Sequence, residues 1–164
     1  MSALVTFITT GGTIDKFYFD AKSEFQIGDP QVPAILEEGN VTLASRTVPA
    51  MRKDSLEMSD ADRQRLREIV EAEDGQRIVI THGTDTMVDT ARALAGIEGK
   101  TIVFTGAMQP ARMRRTDSVF NVGFALAAVQ LLPTGVYIAM NGQVFDPSTA
   151  RKNVAEHRFE IVDD

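Results

Sequence analysis

Cysteine is absent from this chain. That removes disulfides, thiolate metal ligands and cysteine nucleophiles together. Histidine occurs only at His82 and His157, and no H-x-x-E or H-E-x-x-H pattern joins them, so a metal centre has no support. No apolar run approaches the ~18 residues of a membrane span. The opening stretch, Met1 to Ile8, carries no basic n-region and no cleavage-like site ahead of its glycines. The compartment expected from these features is the cytoplasm. Positive charge is also scarce: Lys+Arg 17 against Asp+Glu 23 gives a net charge of −6. Such a balance argues against nucleic-acid partners and anionic membranes. Neither G-x-x-x-x-G-K-[ST] nor a G-x-G-x-x-G after the first strand is present, which disfavours nucleotides.

What remains is ordinary globular composition, 43% hydrophobic over 164 residues. One domain spanning 1–164 is expected from that length. Apolar, β-branched runs at Leu4–Ile8, Arg77–Thr81, Thr101–Thr105 and Gly135–Met140 read as strands buried on both faces. Helical patterns lie between them. Asp60–Glu73 sets Leu66, Ile69 and Val70 on one face behind a Ser59/Asp62 cap. Thr86–Ala95 aligns Met87, Val88, Ala91, Leu94 and Ala95, with Thr86 and Asp89 as an imperfect capping box. Ser118–Leu131 spaces Val119, Val122, Leu126 and Val129 in the same way. Strands alternating with helices predict an α/β fold, a doubly wound, mostly parallel sheet with helices on both faces. Val41–Val48 and Arg158–Val162 are expected as further strands nearer the edge, and Ala21–Pro33 as the longest loop, a lid or binding loop.

In open α/β sheets ligands bind beyond the carboxyl ends of the strands. Here three such ends carry glycine beside hydroxyls: Thr9-Thr10-Gly11-Gly12-Thr13, Thr81-His82-Gly83-Thr84-Asp85-Thr86 and Thr105-Gly106-Ala107. Paired glycines let backbone N–H groups approach a carboxylate or a developing oxyanion, with the Thr13 hydroxyl aimed at the same point. Each motif taken alone also has a plain structural explanation. The first is a turn chosen for backbone geometry, and the second caps the next helix through Asp85 and Thr86. His82 reads as a residue that holds its turn. Lys152 reads alone as a solvated lysine, since base work needs a neutral amine. The Arg112, Arg114 and Arg115 cluster reads as a solvated loop.

Together, TGGTID, ITHGTDTM and TGAMQP, in this order, resemble the bacterial-type L-asparaginase/glutaminase family. The resemblance runs from Leu4 to about Phe159 and covers the N-terminal domain of the usual two-domain member, so the chain is similar to a short-chain asparaginase. It implies a catalytic threonine at Thr13, a second threonine and an aspartate at Thr84 and Asp85, a catalytic lysine at Lys152, and an assisting tyrosine at Tyr18 on the loop after TGGT. It places substrate binding on Ser55 of the run DSLEM and on Gly12, Gly83, Asp85 and Ala107. Asp85 has two implied roles, orienting the Thr84–Lys152 pair and gripping the substrate's α-amino group. Leu56 stands where the family often has a polar residue. The acidic and amide residues that a neighbouring subunit's C-terminal domain supplies have no counterpart here.

The resemblance implies hydrolysis of L-asparagine, with possible glutamine turnover, to aspartate and ammonia through a threonine acyl-enzyme, without cofactor or metal. It also implies a homodimer or homotetramer. Two other readings remain open: a non-catalytic module that binds an acidic amino acid, and an amidase for a peptide-linked or tRNA-linked amide.

Overall fold

The computed structural model describes residues 4–163. In chain order it contains β1 (Val5–Gly11), β2 (Lys16–Phe19), β3 (Glu24–Ile27), α1 (Val32–Glu38), β4 (Ser45–Lys53), α2 (Asp60–Ala72) and β5 (Arg77–Thr81). There follow α3 (Met87–Ala93), β6 (Thr101–Thr105), α4 (Ser118–Leu131), β7 (Gly135–Met140), β8 (Gln143–Phe145), β9 (Ala150–Asn153) and β10 (Arg158–Ile161). Six strands form one sheet in the order β4-β1-β5-β6-β7-β8. Every neighbouring pair is parallel except β7 and β8, which run antiparallel.

The period-2 alternation of the central strands divides their side chains between two cores. Ile8, Ile78, Ile80, Ile102, Phe104, Ile138 and Met140 face α2 and α3. Val5, Phe7, Val79, Val103 and Ala139 face α1 and α4. Since both faces are covered, the strands carry the nearly continuous apolar runs that marked them in the sequence. The fold is therefore α/β, a mostly parallel sheet with helices on both sides, as expected.

Local departures have identifiable causes. β1 runs on to Gly11 because β4 extends the ladder on its outer side as far as Lys53. The edge strand anticipated at Val41–Val48 lies instead at Ser45–Lys53, where Pro49 is tolerated because its outer side has no partner strand. The other expected edge strand, at Arg158–Val162, forms β10 but pairs with β9 outside the main sheet. The stretch expected as a loop, Ala21–Pro33, holds β3, which pairs with β2 as a hairpin, and the start of α1.

The capping box of α2 forms as expected through Ser59 and Asp62. That of α3 does not form: the Thr86 hydroxyl donates to the Ser55 carbonyl at 2.7 Å instead. Ala95 and Val119, expected on core faces, are exposed. No helix among the described residues is long and apolar enough to cross a membrane.

Candidate active site

Three sequence-distant turns meet beyond the carboxyl ends of β1, β4 and β5. After β1 the chain reverses through Gly11 and Gly12 at φ 99 and 83, where only glycine is unstrained. The Gly12 backbone lies so close to that of Gly83 that any side chain at Gly12 would overlap it. Gly83 in turn packs on Ser55, and a Cβ added there would sit 2.7 Å from the Ser55 Cβ. The glycines are thus needed for close approach of three backbones. Thr10 fastens the junction by donating to the Thr81 carbonyl at 2.8 Å, and the Gly12 N–H donates to Lys53 O at 3.0 Å.

Lys152 reaches this junction from β9. Its Nζ lies within hydrogen-bond reach of Thr84 Oγ1, at 2.8 Å, and of Asp85 Oδ1, at 2.6 Å. The lysine side chain is only 13% exposed, so it is not the solvated residue that its local sequence suggests. Its strand stays in place because Ala150 and Phe159 enter the core shared with α3. Arg92 of α3 adds donations to Pro147 O at 2.8 Å and Ala150 O at 3.4 Å.

Thr13 opens a short 3₁₀ turn directly after Gly12. Its hydroxyl has no hydrogen-bond partner among the described residues. It lines a cavity of about 200 Å3 together with Lys16, Phe25, Gln109, Pro110 and Met113. Ser55 is buried in the 3₁₀ turn that follows β4, and Asp54 caps that turn by accepting from the Leu56 N–H at 3.1 Å. Ala107 packs its side chain into the α4-side core, leaving only backbone to face a ligand. That backbone is steadied by Asn121, which donates to Gly106 O at 2.9 Å, and by Asp117, which accepts from the Met108 and Gln109 N–H groups.

Tyr18 stands apart from this convergence. It is exposed on the β2–β3 hairpin, edge-on to Phe25 with ring centroids 5.5 Å apart, and does not line the Thr13 cavity. Phe25, which does, connects the two. Arg112 also differs from expectation. It is bound at the hairpin base, donating to Asp15 O at 2.8 Å with its guanidinium 5.6 Å from the Phe17 ring centroid.

Two ionisable groups beneath the turns are shifted. Burial pushes the Asp15 carboxyl up to about 6, against the opposing effects of the Gln31 N–H and the charges of Arg112 and Arg52. Burial likewise pushes His82 down to about 4, so the ring is neutral, and its Nδ1 donates to Gly83 O at 2.6 Å. His82 holds its turn.

A family description, asparaginase N-terminal, matches residues 4–161. The chain belongs to the asparaginase family. The glutaminase-asparaginase of Acinetobacter glutaminasificans is 27% identical over 96% of this chain and 52% of its own length. One component of the glutamyl-tRNA(Gln) amidotransferase of Methanococcus vannielii is 39% identical over 46% of this chain and 18% of its own. Among solved structures, L-asparaginase I of Vibrio cholerae superposes with a TM-score of 0.86 at 24% identity, covering 98% of this chain and 52% of that one. This asparaginase-family chain spans about half the length of the relatives that it matches along its whole extent.

Sequence reasoning missed Lys16, Asp54 and Arg92. Lys16 was legible as the cation three residues past Thr13, immediately after the TGGTID motif. Asp54 adjoins Ser55. Arg92 had no local signal, because its partners lie more than fifty residues away.

Proposed function

We propose that this asparaginase-family chain hydrolyses a side-chain amide, with L-asparagine as the principal substrate, through a threonine ester. The observation that carries the reading is the contact of Lys152 Nζ with both Thr84 Oγ1 and Asp85 Oδ1, at 2.8 and 2.6 Å. It joins an amine, a hydroxyl and a carboxylate that are scattered in the sequence. An isolated surface lysine has no reason to be aimed this way.

In this mechanism the Thr13 hydroxyl adds to the amide carbon, and its proton passes to the departing nitrogen. The C–N bond breaks to release ammonia and leave a β-aspartyl ester on Thr13. Water then adds to the ester carbon, losing a proton to the Thr84–Lys152 pair, and aspartate leaves as the Thr13 hydroxyl is restored. Lys152 accepts that proton only as a neutral amine, and Asp85 balances the charge that follows. With the Gly12 N–H already bound to Lys53 O, the Thr13 and Thr84 N–H groups that follow the two glycine turns are the candidates to hold the oxyanion. Ser55 receives the substrate's α-carboxylate. Tyr18 acts only if the hairpin carries it inward.

The test is release of ammonia and aspartate from asparagine by purified protein, compared with Thr13→Ala and Lys152→Met. Each substitution is expected to lower kcat by about a hundredfold or more. Equal rates in all three proteins would end the mechanism. Calorimetry with aspartate guards against a purely binding module, which binds tightly and releases no ammonia.

The likeness to an amidotransferase component favours a second reading, an amidase for a larger amide. The net charge of −6 weighs against tRNA. A panel of asparagine, glutamine and asparaginyl peptides separates the two readings. We also infer that the chain works as a homo-oligomer.

A further inference from the structure

The cavity that Thr13 lines, about 200 Å3, does not stand alone. A second cavity of about 410 Å3 adjoins it, and the two share Lys16, Phe25, Pro110 and Met113 as walls. Phe17, Tyr18 and Arg112 line the farther part, so one trough runs from Thr13 between the β2–β3 hairpin and the loop joining β6 to α4. Its two cations are engaged elsewhere. Lys16 carries its ammonium to Asp54 Oδ2 at 3.0 Å, leaving its methylene stem along the wall. Arg112 donates to Asp15 O at 2.8 Å and lies against the Phe17 ring. The remaining walls are aromatic or aliphatic, and Tyr18, Phe25 and Met113 are 49%, 47% and 38% exposed. Large apolar side chains left open side by side mark a binding groove.

Ser55, Thr84, Asp85 and Lys152 line neither part of this trough. Gly12, the residue before Thr13, packs on Gly83, so Thr13 stands between a polar junction on one side and the apolar trough on the other. Ammonia, the leaving group of a primary amide, needs no such space. At about 200 Å3 the first cavity falls below the ~300–1,000 Å3 of ordinary ligand pockets, and the adjoining space brings it into that range. We propose that the trough is a leaving-amine subsite, and that the chain also cleaves secondary amides whose nitrogen carries an aromatic or large apolar group. The acyl half stays at the junction with Lys152. The Thr13 oxygen adds to the amide carbon and the C–N bond breaks. The hydroxyl proton passes to the nitrogen, which departs as a free amine seated among Phe25, Pro110 and Met113. The ester left on Thr13 is the same β-aspartyl ester, and water resolves it in the same way. This proposal rests on the amidohydrolase reading and widens its substrate class.

The test compares the β-benzylamide and the β-methylamide of L-aspartate by release of the amine. Benzylamine and methylamine are of similar basicity, so a difference between them reports the ring and not the bond being broken. The unaltered protein is expected to favour the benzylamide by about tenfold or more in kcat/KM, the worth of burying one aromatic ring. Met113→Ser and Phe25→Ser should each bring that ratio toward unity. Both side chains are part-exposed, so neither change empties the core. Substitutions that only loosen the hairpin lower both amides in one proportion. A ratio that survives both substitutions in this way, or a ratio near unity in the unaltered protein, overturns the proposal.

Calorimetry of the same two amides with Thr13→Ala adds an arm that needs no turnover. Tighter binding of the benzylamide, lost when Met113→Ser is added, supports the subsite even where the unaltered protein cleaves no amide, an outcome that sinks only the amidohydrolase reading. Release of ammonia from asparagine with equal affinity for the two secondary amides sinks the subsite alone.

Discussion

Asp15 and His82 are ionisable, buried close to the two glycine turns, and opposed in mild acid. Asp15 is raised from 3.8 to about 6, so between these values the folded chain keeps a proton that the unfolded chain has lost. Its contribution is full below 3.8 and declines as pH rises through about 6. His82 is lowered from 6.5 to about 4, so the unfolded chain holds the extra proton there, and stability declines as pH falls through that window. From about pH 4 to 6 the two slopes largely cancel. Asp15→Asn keeps an acceptor for the Gln31 N–H, which now reaches Asp15 Oδ1 at 2.9 Å, but it removes the buried charge. At pH 7 the variant is expected to be more stable by up to about 3 kcal/mol. Toward pH 4 it should lose about 1.4 kcal/mol per pH unit as the His82 slope is uncovered. Urea unfolding from pH 4 to 7.5 measures both effects, and parallel curves for variant and parent would refute the assignment. At the same scale, Gly12→Ala forces a side chain into the Gly83 backbone at a positive φ. It is expected to separate the two turns and abolish ammonia release, even where circular dichroism shows a folded sheet.

Elements rather than single residues decide whether Lys152 arrives at Thr84. β9 lies outside the main sheet and is positioned by Phe159 in the core and by Arg92 on two carbonyls. Arg92→Met removes the polar half of that support. The expected result is a fall in kcat of about ten- to a hundredfold with KM little changed, because Lys152 drifts while the binding turns stay put. The stability loss should be about 1–3 kcal/mol, the ordinary worth of hydrogen bonds from a charged donor. A rise in KM at unchanged kcat would contradict this assignment.

The same elements show what was legible in the sequence. β5, β6, β7 and α4 are bounded where apolar periodicity and the Pro133–Gly135 stop place them, since their signal is their own burial. The β2–β3 hairpin was hidden because its residues are half-exposed, and β9 because Ala-Arg-Lys-Asn has no strand-like alternation. Thr13, Thr84 and Asp85 were visible from their glycine-flanked strand ends. Their convergence with Lys152 was implied only by the family resemblance, for it depends on a hairpin whose signal lies in tertiary contacts.

For the whole molecule, α4 poses a problem of coverage. Fourteen residues, SVFNVGFALAAVQL, contain no charge, and a helix apolar on every side is normally buried on every side. The sheet and α1 cover the face carrying Val122, Ala125, Leu126, Ala128 and Val129. Phe120 and Leu131 are exposed, with Phe120 stacked on Phe124 at 6.3 Å between centroids. Two copies, each with a net charge of −6, repel over most approaches but meet no like charge along this stripe. A two-fold pairing of α4 with its copy therefore suits the homo-oligomer inferred above. One helix of about 21 Å offers less than the ~800 Å2 per partner of a standard interface, so the association should depend on concentration in the micromolar range. Light scattering over a dilution series is expected to show a dimer that falls to monomer. Phe120→Glu should give monomer throughout, with an undiminished Tm at low concentration, because the residue packs on nothing in the core. A dimer that survives Phe120→Glu would move the interface elsewhere, and a parent that stays monomeric at every concentration would remove the oligomer from the proposal.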